Sequence, residues 1–103
     1  MQQLVHDRMD ELQRLCRVHH VRSLELFGSA VGESFDPASS DLDFAVEFDP
    51  LPPGKRADTY FDLLEGLTEL FGRPVDVVMV SAVRNPYFRR QLDDTKVPVY
   101  AAG

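Results

Sequence analysis

The sequence of 103 residues has one cysteine, no tryptophan and no long apolar run. Because Cys16 has no second cysteine to pair with, an internal disulfide framework and a cysteine-based zinc site are excluded, which fits a reducing compartment. No segment approaches the roughly 20 apolar residues of a membrane-spanning helix, and the N-terminus lacks a signal-peptide pattern. We therefore expect a cytoplasmic protein that does not associate with a membrane.

Positive charge is also scarce in this chain. Eleven Lys and Arg residues stand against 17 Asp and Glu residues, which gives a formal net charge of −6, and no basic run is present. Since phosphate backbones are bound by clustered Lys and Arg, we expect no direct nucleic-acid binding, although a small nucleotide that arrives with its metal is compatible with this charge. The length predicts a single domain over residues 1–103, without room for a second lobe.

Apolar periodicity along the chain alternates between helical and extended segments. The pattern predicts helices over 2–18, 57–71 and 86–92, and strands over 21–27, 41–48, 75–80 and 97–100. Gly72 signals the end of the second helix, and Tyr60 lies at the helical spacing of its apolar residues, which indicates a core position.

Two aspartates stand at the start of the second predicted strand, in the run Ser40-Asp41-Leu42-Asp43. Side chains of a strand alternate between faces at about 3.3 Å per residue, so Asp41 and Asp43 are expected on one face. Two anions at this spacing repel each other until a cation lies between them. Oxygen ligands of this kind favour Mg²⁺ or Mn²⁺, so the pair is a candidate metal site.

Gly28-Ser29 ends the first predicted strand and precedes these aspartates. A glycine lets backbone N–H groups approach a phosphate without a Cβ in the way, and Ser29 adds a hydroxyl at the start of a helical turn that favours an anion. Alone, the pair is also what an ordinary strand-ending turn looks like. Beside the aspartates, we interpret it as a nucleotide-binding loop.

Asp76 lies within the apolar run Val75 to Val80. Burying an unpaired carboxylate costs several kcal/mol, so a compensating charge is expected. If this strand lies beside that of Asp41 and Asp43, three carboxylates converge and a divalent metal supplies the charge. The alternative is an aspartate at a strand end that is solvated or paired with Arg73.

Together, Gly28-Ser29, Asp41-x-Asp43 and Asp76 resemble the signature of the minimal nucleotidyltransferase (MNT) domains of the DNA polymerase beta superfamily. The segments 84–87 and 97–100 are similar to the tail of the same group, so the resemblance covers nearly the full length. It implies an α/β fold like the polymerase beta palm, with a small mixed sheet and helices packed on one side.

The resemblance also implies roles for these residues. Asp41 and Asp43 would hold two Mg²⁺ or Mn²⁺ ions, Asp76 would complete the metal site and promote attack by the acceptor, and Gly28 and Ser29 would hold the triphosphate of ATP. Two metals held by bridging carboxylates stabilise the entering and leaving oxygens of such a transfer.

Relatives of this size resemble the antitoxins of two-gene toxin–antitoxin modules whose partner is a HEPN ribonuclease. The resemblance therefore implies a nucleotidyltransferase that moves AMP from ATP to a hydroxyl of a HEPN-type toxin, with a tyrosine as the expected acceptor, and it is compatible with homo- or hetero-oligomers. Two alternatives stay open: a catalytically weak or inactive antitoxin that acts by binding alone, and a small-molecule transferase of the aminoglycoside type. Many relatives carry a second glycine five residues after the first and a basic residue after the serine. In this chain the second glycine, Gly32, stands four residues after Gly28, and Ala30 follows Ser29.

Overall fold

The computed structural model describes residues 3–28 and 41–102, and in this part of the chain four strands form one sheet. The sheet order is β3-β2-β1-β4, with β2 and β3 parallel and the other two pairs antiparallel. The expected small mixed sheet is confirmed. The elements are α1 (Gln3–His6), α2 (Met9–Val18), β1 (Val21–Phe27), β2 (Leu42–Phe48), α3 (Arg56–Phe71), β3 (Val75–Met79), a 3-10 turn (Val80–Ala82), α4 (Pro86–Thr95) and β4 (Val97–Ala101).

The main core lies between one face of the sheet and the helices α2 and α3. Leu12 of α2 and Leu63 and Leu67 of α3 are fully buried there, and burial of each contributes about 1.5–3 kcal/mol. The ring of Phe44 in β2 stacks on Phe71 of α3 with centroids 6.0 Å apart. This layer fixes which face of β2 and β3 is turned inward, and therefore which side chains face outward.

The prediction of a single helix over 2–18 is wrong at residues 7–8, where the chain turns between α1 and α2. The backbone N–H of Arg8 donates to the carbonyl of Val5 at 3.2 Å, which is the tighter three-residue spacing of a turn. Val5 and Leu12 are both fully buried on either side of it. The apolar periodicity therefore continues through the turn and conceals it.

The helix α4 packs on the opposite face of the sheet. Its Phe88 meets Phe27 of β1 edge to face, with ring centroids 6.0 Å apart, and its Leu92 is buried in a small cluster with Phe27 and Ala45. The prediction that helices pack on one side of the sheet holds for α2 and α3 but not for α4, which packs on the other side. It is also longer than predicted, since it continues to Thr95.

Lys96, directly after α4, holds the end of this helix to the sheet. Its ammonium lies 3.6 Å from the carboxylate of Glu25 in β1 and 3.3 Å from that of Asp93 in α4. The start of the helix is held by Asn85, whose side-chain oxygen accepts from the backbone N–H groups of Tyr87 and Phe88 at 2.9 and 3.3 Å. Both ends of α4 are thus tied down.

Gly72 ends α3 with φ of +62°, the left-handed conformation that the sequence predicts for a glycine at a helix C-terminus. Within the described residues, no helix is long and apolar enough to cross a membrane.

We predict that Asn85→Ala destabilises the protein by about 1 kcal/mol, because two N–H groups at the start of α4 lose their side-chain acceptor. Asn85→Ser keeps an acceptor and is the matched control, with a loss of a few tenths at most. Urea unfolding measured by circular dichroism compares the two. Equal stability of Asn85→Ala and the wild type would mean that the cap contributes nothing.

Candidate active site

The candidate site lies where β2 and β3 run side by side. In their parallel register Asp43 is the direct partner of Asp76. Paired residues point to the same face of a sheet, and the preceding pair, Leu42 and Val75, is buried in the main core. The two carboxyl groups therefore lie together on the opposite face, as the sequence reasoning expected. Their roles as ligands stay a prediction.

Asp76 itself is exposed, although Val75 and Val77 on either side of it are buried. The expectation that Asp76 is buried is wrong, because β3 is the outermost strand on its side of the described sheet and its outward face is open. The alternative of a solvated Asp76 near a strand end describes its exposure correctly. It still lies beside Asp43, so solvation and convergence occur together.

Asp41 precedes β2 and is exposed. Its charge is close enough to Asp43 to act on the titration of that group. Within residues 3–28 and 41–102, however, no group of three or more His, Cys, Asp or Glu side chains is already arranged as a metal cluster. The structure therefore gathers Asp43 and Asp76 tightly and Asp41 more loosely.

The pKa of Asp43 is raised from its ordinary value of 3.8 to about 6. Partial burial is the largest cause, followed by the negative charges of Asp76 and Asp41 and by a hydrogen bond in which the protonated Asp43 carboxyl donates to Asp76. Two carboxyl groups that share a proton when no cation is present are typical of functional sites.

Gly28 closes the site from the end of β1. Its φ is +73°, and a Cβ built on it would lie only 2.7 Å from Oδ2 of Asp43. Phe27, the residue before it, pairs with Asp43 across β1 and β2. The predicted glycine is therefore required both by its backbone conformation and by its contact with the carboxylate. Ser29, the other residue predicted in this loop, lies outside the described residues.

The donors present fit a hard divalent cation such as Mg²⁺ or Mn²⁺. Asp41, Asp43 and Asp76 are all carboxylates, which these ions prefer, and a cation would replace the proton that the Asp43 carboxyl holds. The missing Cβ at position 28 leaves room directly over Oδ2 of Asp43.

An open cavity of about 410 Å³ is lined by Asp43, and by Asp76 and other residues of β3. Phe27, Val78 and Phe88 line it on the carboxylate face. Tyr60 and Leu64 of α3 line it on the face of the main core. Sequence reasoning did not assign Phe88 or Tyr60 to the site, and the helical spacing of Tyr60 indicated only that it faces the core.

We predict that Asp43→Asn stabilises the metal-free protein at about pH 8 and that this gain disappears as the pH falls toward 4. The native state binds the Asp43 proton more tightly than the unfolded chain does, so ionisation of Asp43 lowers native stability as the pH rises through about 6. Asparagine removes that penalty. Thermal unfolding across this pH range measures the difference between variant and wild type.

Glu47→Gln is the matched control, because Glu47 is an exposed carboxylate further along β2. It also removes one negative charge but should give a nearly constant difference across the same pH range. A pH-independent effect of Asp43→Asn would contradict the coupling of Asp43 to its neighbours.

Comparison with known proteins adds evidence from sequence on the family of this chain. The model of the nucleotidyltransferase domain family matches residues 9–98. MJ0128 of Methanocaldococcus jannaschii is 31% identical over 81 residues, which cover 79% of this chain and 79% of that protein. MJ1379 of the same organism is 30% identical over 100 residues, which cover 88% of this chain and 97% of that protein. Both relatives are named, by inference, as protein adenylyltransferases.

Solved structures share the fold of this chain. One named by inference as a minimal nucleotidyltransferase is 27% identical, with a TM-score of 0.73 and 91% of each chain covered. A toxin–antitoxin structure with AMP-PNP gives a TM-score of 0.67 at 20% identity, covering 91% of this chain and 73% of that one. A tri-AMPylated Shewanella oneidensis HEPN toxin in complex with MNT antitoxin gives 0.65 at 18%, covering 94% and 72%. The last two show the fold. By its match over residues 9–98 and its two archaeal relatives, this chain belongs to the nucleotidyltransferase domain family.

Proposed function

We propose that this chain is a metal-dependent adenylyltransferase that moves AMP from ATP to a hydroxyl of a partner protein. The observation that carries the proposal is the direct pairing of Asp43 with Asp76 beneath Gly28, inside an open cavity. Stability does not account for this pair, because two neighbouring carboxylates repel each other when both are ionised. ATP as the substrate agrees with the cytoplasmic location expected from the sequence.

In this proposal Asp41, Asp43 and Asp76 hold Mg²⁺ or Mn²⁺. When bound, the metal neutralises charge on the phosphates and polarises the α-phosphate. Gly28 and Ser29 bind the triphosphate through backbone N–H groups and the Ser29 hydroxyl, because the chain at position 28 can approach the phosphates closely. The carboxylates and the loop together orient the α-phosphate toward the open side of the cavity.

The transfer breaks one bond and forms one. The acceptor oxygen attacks the α-phosphorus, the bond from that phosphorus to the bridging oxygen of the β-phosphate breaks, and pyrophosphate leaves. The acceptor's proton passes to a carboxylate, for which we propose Asp76, since it is the exposed member of the pair and faces an incoming group. In-line positioning supplies much of the rate enhancement for such a step.

The acceptor that we propose is a tyrosine of a HEPN-type toxin, which would make this chain the antitoxin of a two-gene module. Support comes from the names of the relatives, which specify protein adenylylation, and from the structural neighbour in which an MNT antitoxin is bound to a tri-AMPylated HEPN toxin. A net charge of −6 with no basic run makes a nucleic-acid acceptor unfavourable.

A second candidate function is an antitoxin that neutralises its partner by binding alone. One observation favours it: within the described residues the carboxylates are not already arranged as a metal cluster. Catalysis requires them to hold a metal, whereas binding alone does not.

We predict that mixing this chain with a purified HEPN toxin, ATP and Mg²⁺ adds whole multiples of one AMP to the toxin mass. Asp41→Asn combined with Asp43→Asn should add none, because the metal ligands are gone, while Glu47→Gln should react like the wild type. Intact-protein mass spectrometry measures the transfer. Tight association with no mass change for ATP, GTP, CTP or UTP would reject the enzyme and favour the antitoxin that acts by binding.

A further prediction separates the two demands on Gly28. Gly28→Ala and Gly54→Ala both place a side chain at positive φ, +73° and +82°, and this conformation alone should cost each about 1 kcal/mol of stability. Only at position 28 does the new Cβ meet a carboxylate, since nothing lies within 4 Å of a Cβ at position 54. Calorimetric titration with a non-hydrolysable ATP analogue should therefore show weaker binding in Gly28→Ala alone. Equal affinities in the two variants would reject the phosphate-loop assignment.

A further inference from the structure

Tyr60 joins the helical layer to the strand that carries Asp76. Its side chain projects from α3, and its hydroxyl donates a hydrogen bond of 2.6 Å to the backbone carbonyl of Val77. The ring is half-buried against the main core and lines the same cavity as Asp43 and Asp76. Tyr60 thus lies across β3 from the carboxyl pair, although it is distant in sequence from Asp43 and Asp76.

The strand β3 has a paired side and an outer side in the described sheet. Leu42 of β2 donates its N–H to the carbonyl of Pro74, so in this parallel register Asp76 also turns its backbone groups toward β2. Backbone groups alternate along a strand, and those of Val77 therefore point outward. The Tyr60 hydroxyl bonds β3 on the side that β2 cannot reach.

This bond acts one residue away from Asp76. Fixing the Val77 carbonyl fixes the peptide plane that follows Val77 and limits rotation of the short strand about its pairing with β2. The side chain of Asp76 is exposed, so packing around it does little to hold its carboxyl in place. Ligand and reacting groups have to be held within about 0.5 Å of their productive positions, so the backbone must supply the precision.

We propose that Tyr60 is a positioning residue for the transfer reaction, which holds the outer edge of β3 so that Asp76 stays opposite Asp43. The inference rests on the proposed function of this carboxyl pair. Tyr60 touches neither the nucleotide nor the acceptor in this role. The Tyr60 hydroxyl, and not its ring, supplies this restraint on β3.

The test compares Tyr60→Phe with Thr68→Val in the full chain. Tyr60→Phe keeps the ring and removes only the hydroxyl. Thr68→Val is the matched control. The Thr68 hydroxyl, like that of Tyr60, donates to a backbone carbonyl, but its acceptor is Leu64 of α3 itself, at 2.8 Å. Thr68 does not line the cavity. Three quantities are measured for each: kcat and KM for ATP, Mn²⁺ affinity by calorimetry, and hydrogen exchange of the β3 amides by nuclear magnetic resonance.

We expect Tyr60→Phe to lower kcat on the order of tenfold while KM for ATP stays unchanged, as for a displaced catalytic group. Mn²⁺ binding should weaken by several-fold, and the amides of β3 should exchange faster. Thr68→Val should match the wild type in all three. Wild-type Mn²⁺ affinity and exchange in Tyr60→Phe would overturn the proposal, and so would a raised KM with unchanged kcat, which would place Tyr60 in contact with the nucleotide.

Failure of the proposed function is recognised separately. If the wild type transfers no nucleotide to any acceptor, the adenylyltransferase proposal fails, and kcat carries no information on Tyr60. Mn²⁺ affinity and amide exchange still decide the positioning role, because neither needs turnover. An equal loss in Thr68→Val would reject a specific role for Tyr60 and assign the effect to general destabilisation of α3.

Discussion

The site depends on one constraint, the parallel pairing of β2 with β3 in a register that sets Asp43 beside Asp76. A parallel pair cannot be closed by a tight turn, so the chain must cross over the sheet, and α3 is that crossover. The same helix buries Leu63 and Leu67 in the main core. Core packing therefore sets the register, since a slip of one residue would turn Asp76 inward and a valine outward.

The register brings like charges together, which burial alone would not favour. Asp43 accommodates this by retaining a proton up to about pH 6, and a divalent cation would take the place of that proton. Gly28 adds a second local cost, a backbone at positive φ that approaches Oδ2 of Asp43 closely. Strain and repulsion concentrated at one point of a well-packed domain are typical of a functional site.

The two faces of the sheet are covered unequally, and the site uses the difference. α2 and α3 cover one face with the main core, whereas α4 covers only part of the other through Phe88 and Leu92. Within the described residues, the uncovered part is the cavity over Asp43 and Asp76, which lies at the outer strand of the sheet. The protein acceptor that we propose would reach the carboxyl pair from this open side.

Residue chemistry and spacing determined most of the fold and part of the site. Alternation of apolar residues located every strand of the described sheet to within about a residue, and Gly72 marked the end of α3, because these signals are local. Spacing alone could not show the turn at Arg8, since the buried pattern continues through it. It also could not show the covering by α4, which depends on contacts between distant segments.

The sequence identifies the candidate carboxylates, and the pairing of strands in the structure decides which of them lie together. The sequence by itself determined that Asp41, Asp43 and Asp76 are unusual in apolar surroundings and that Gly28 precedes them. Only the tertiary structure decided that Asp76 is exposed, that it lies opposite Asp43, and that Tyr60 bonds β3 from outside. The physical reason is that strand order, register and edge position arise from long-range pairing, which local patterns do not encode.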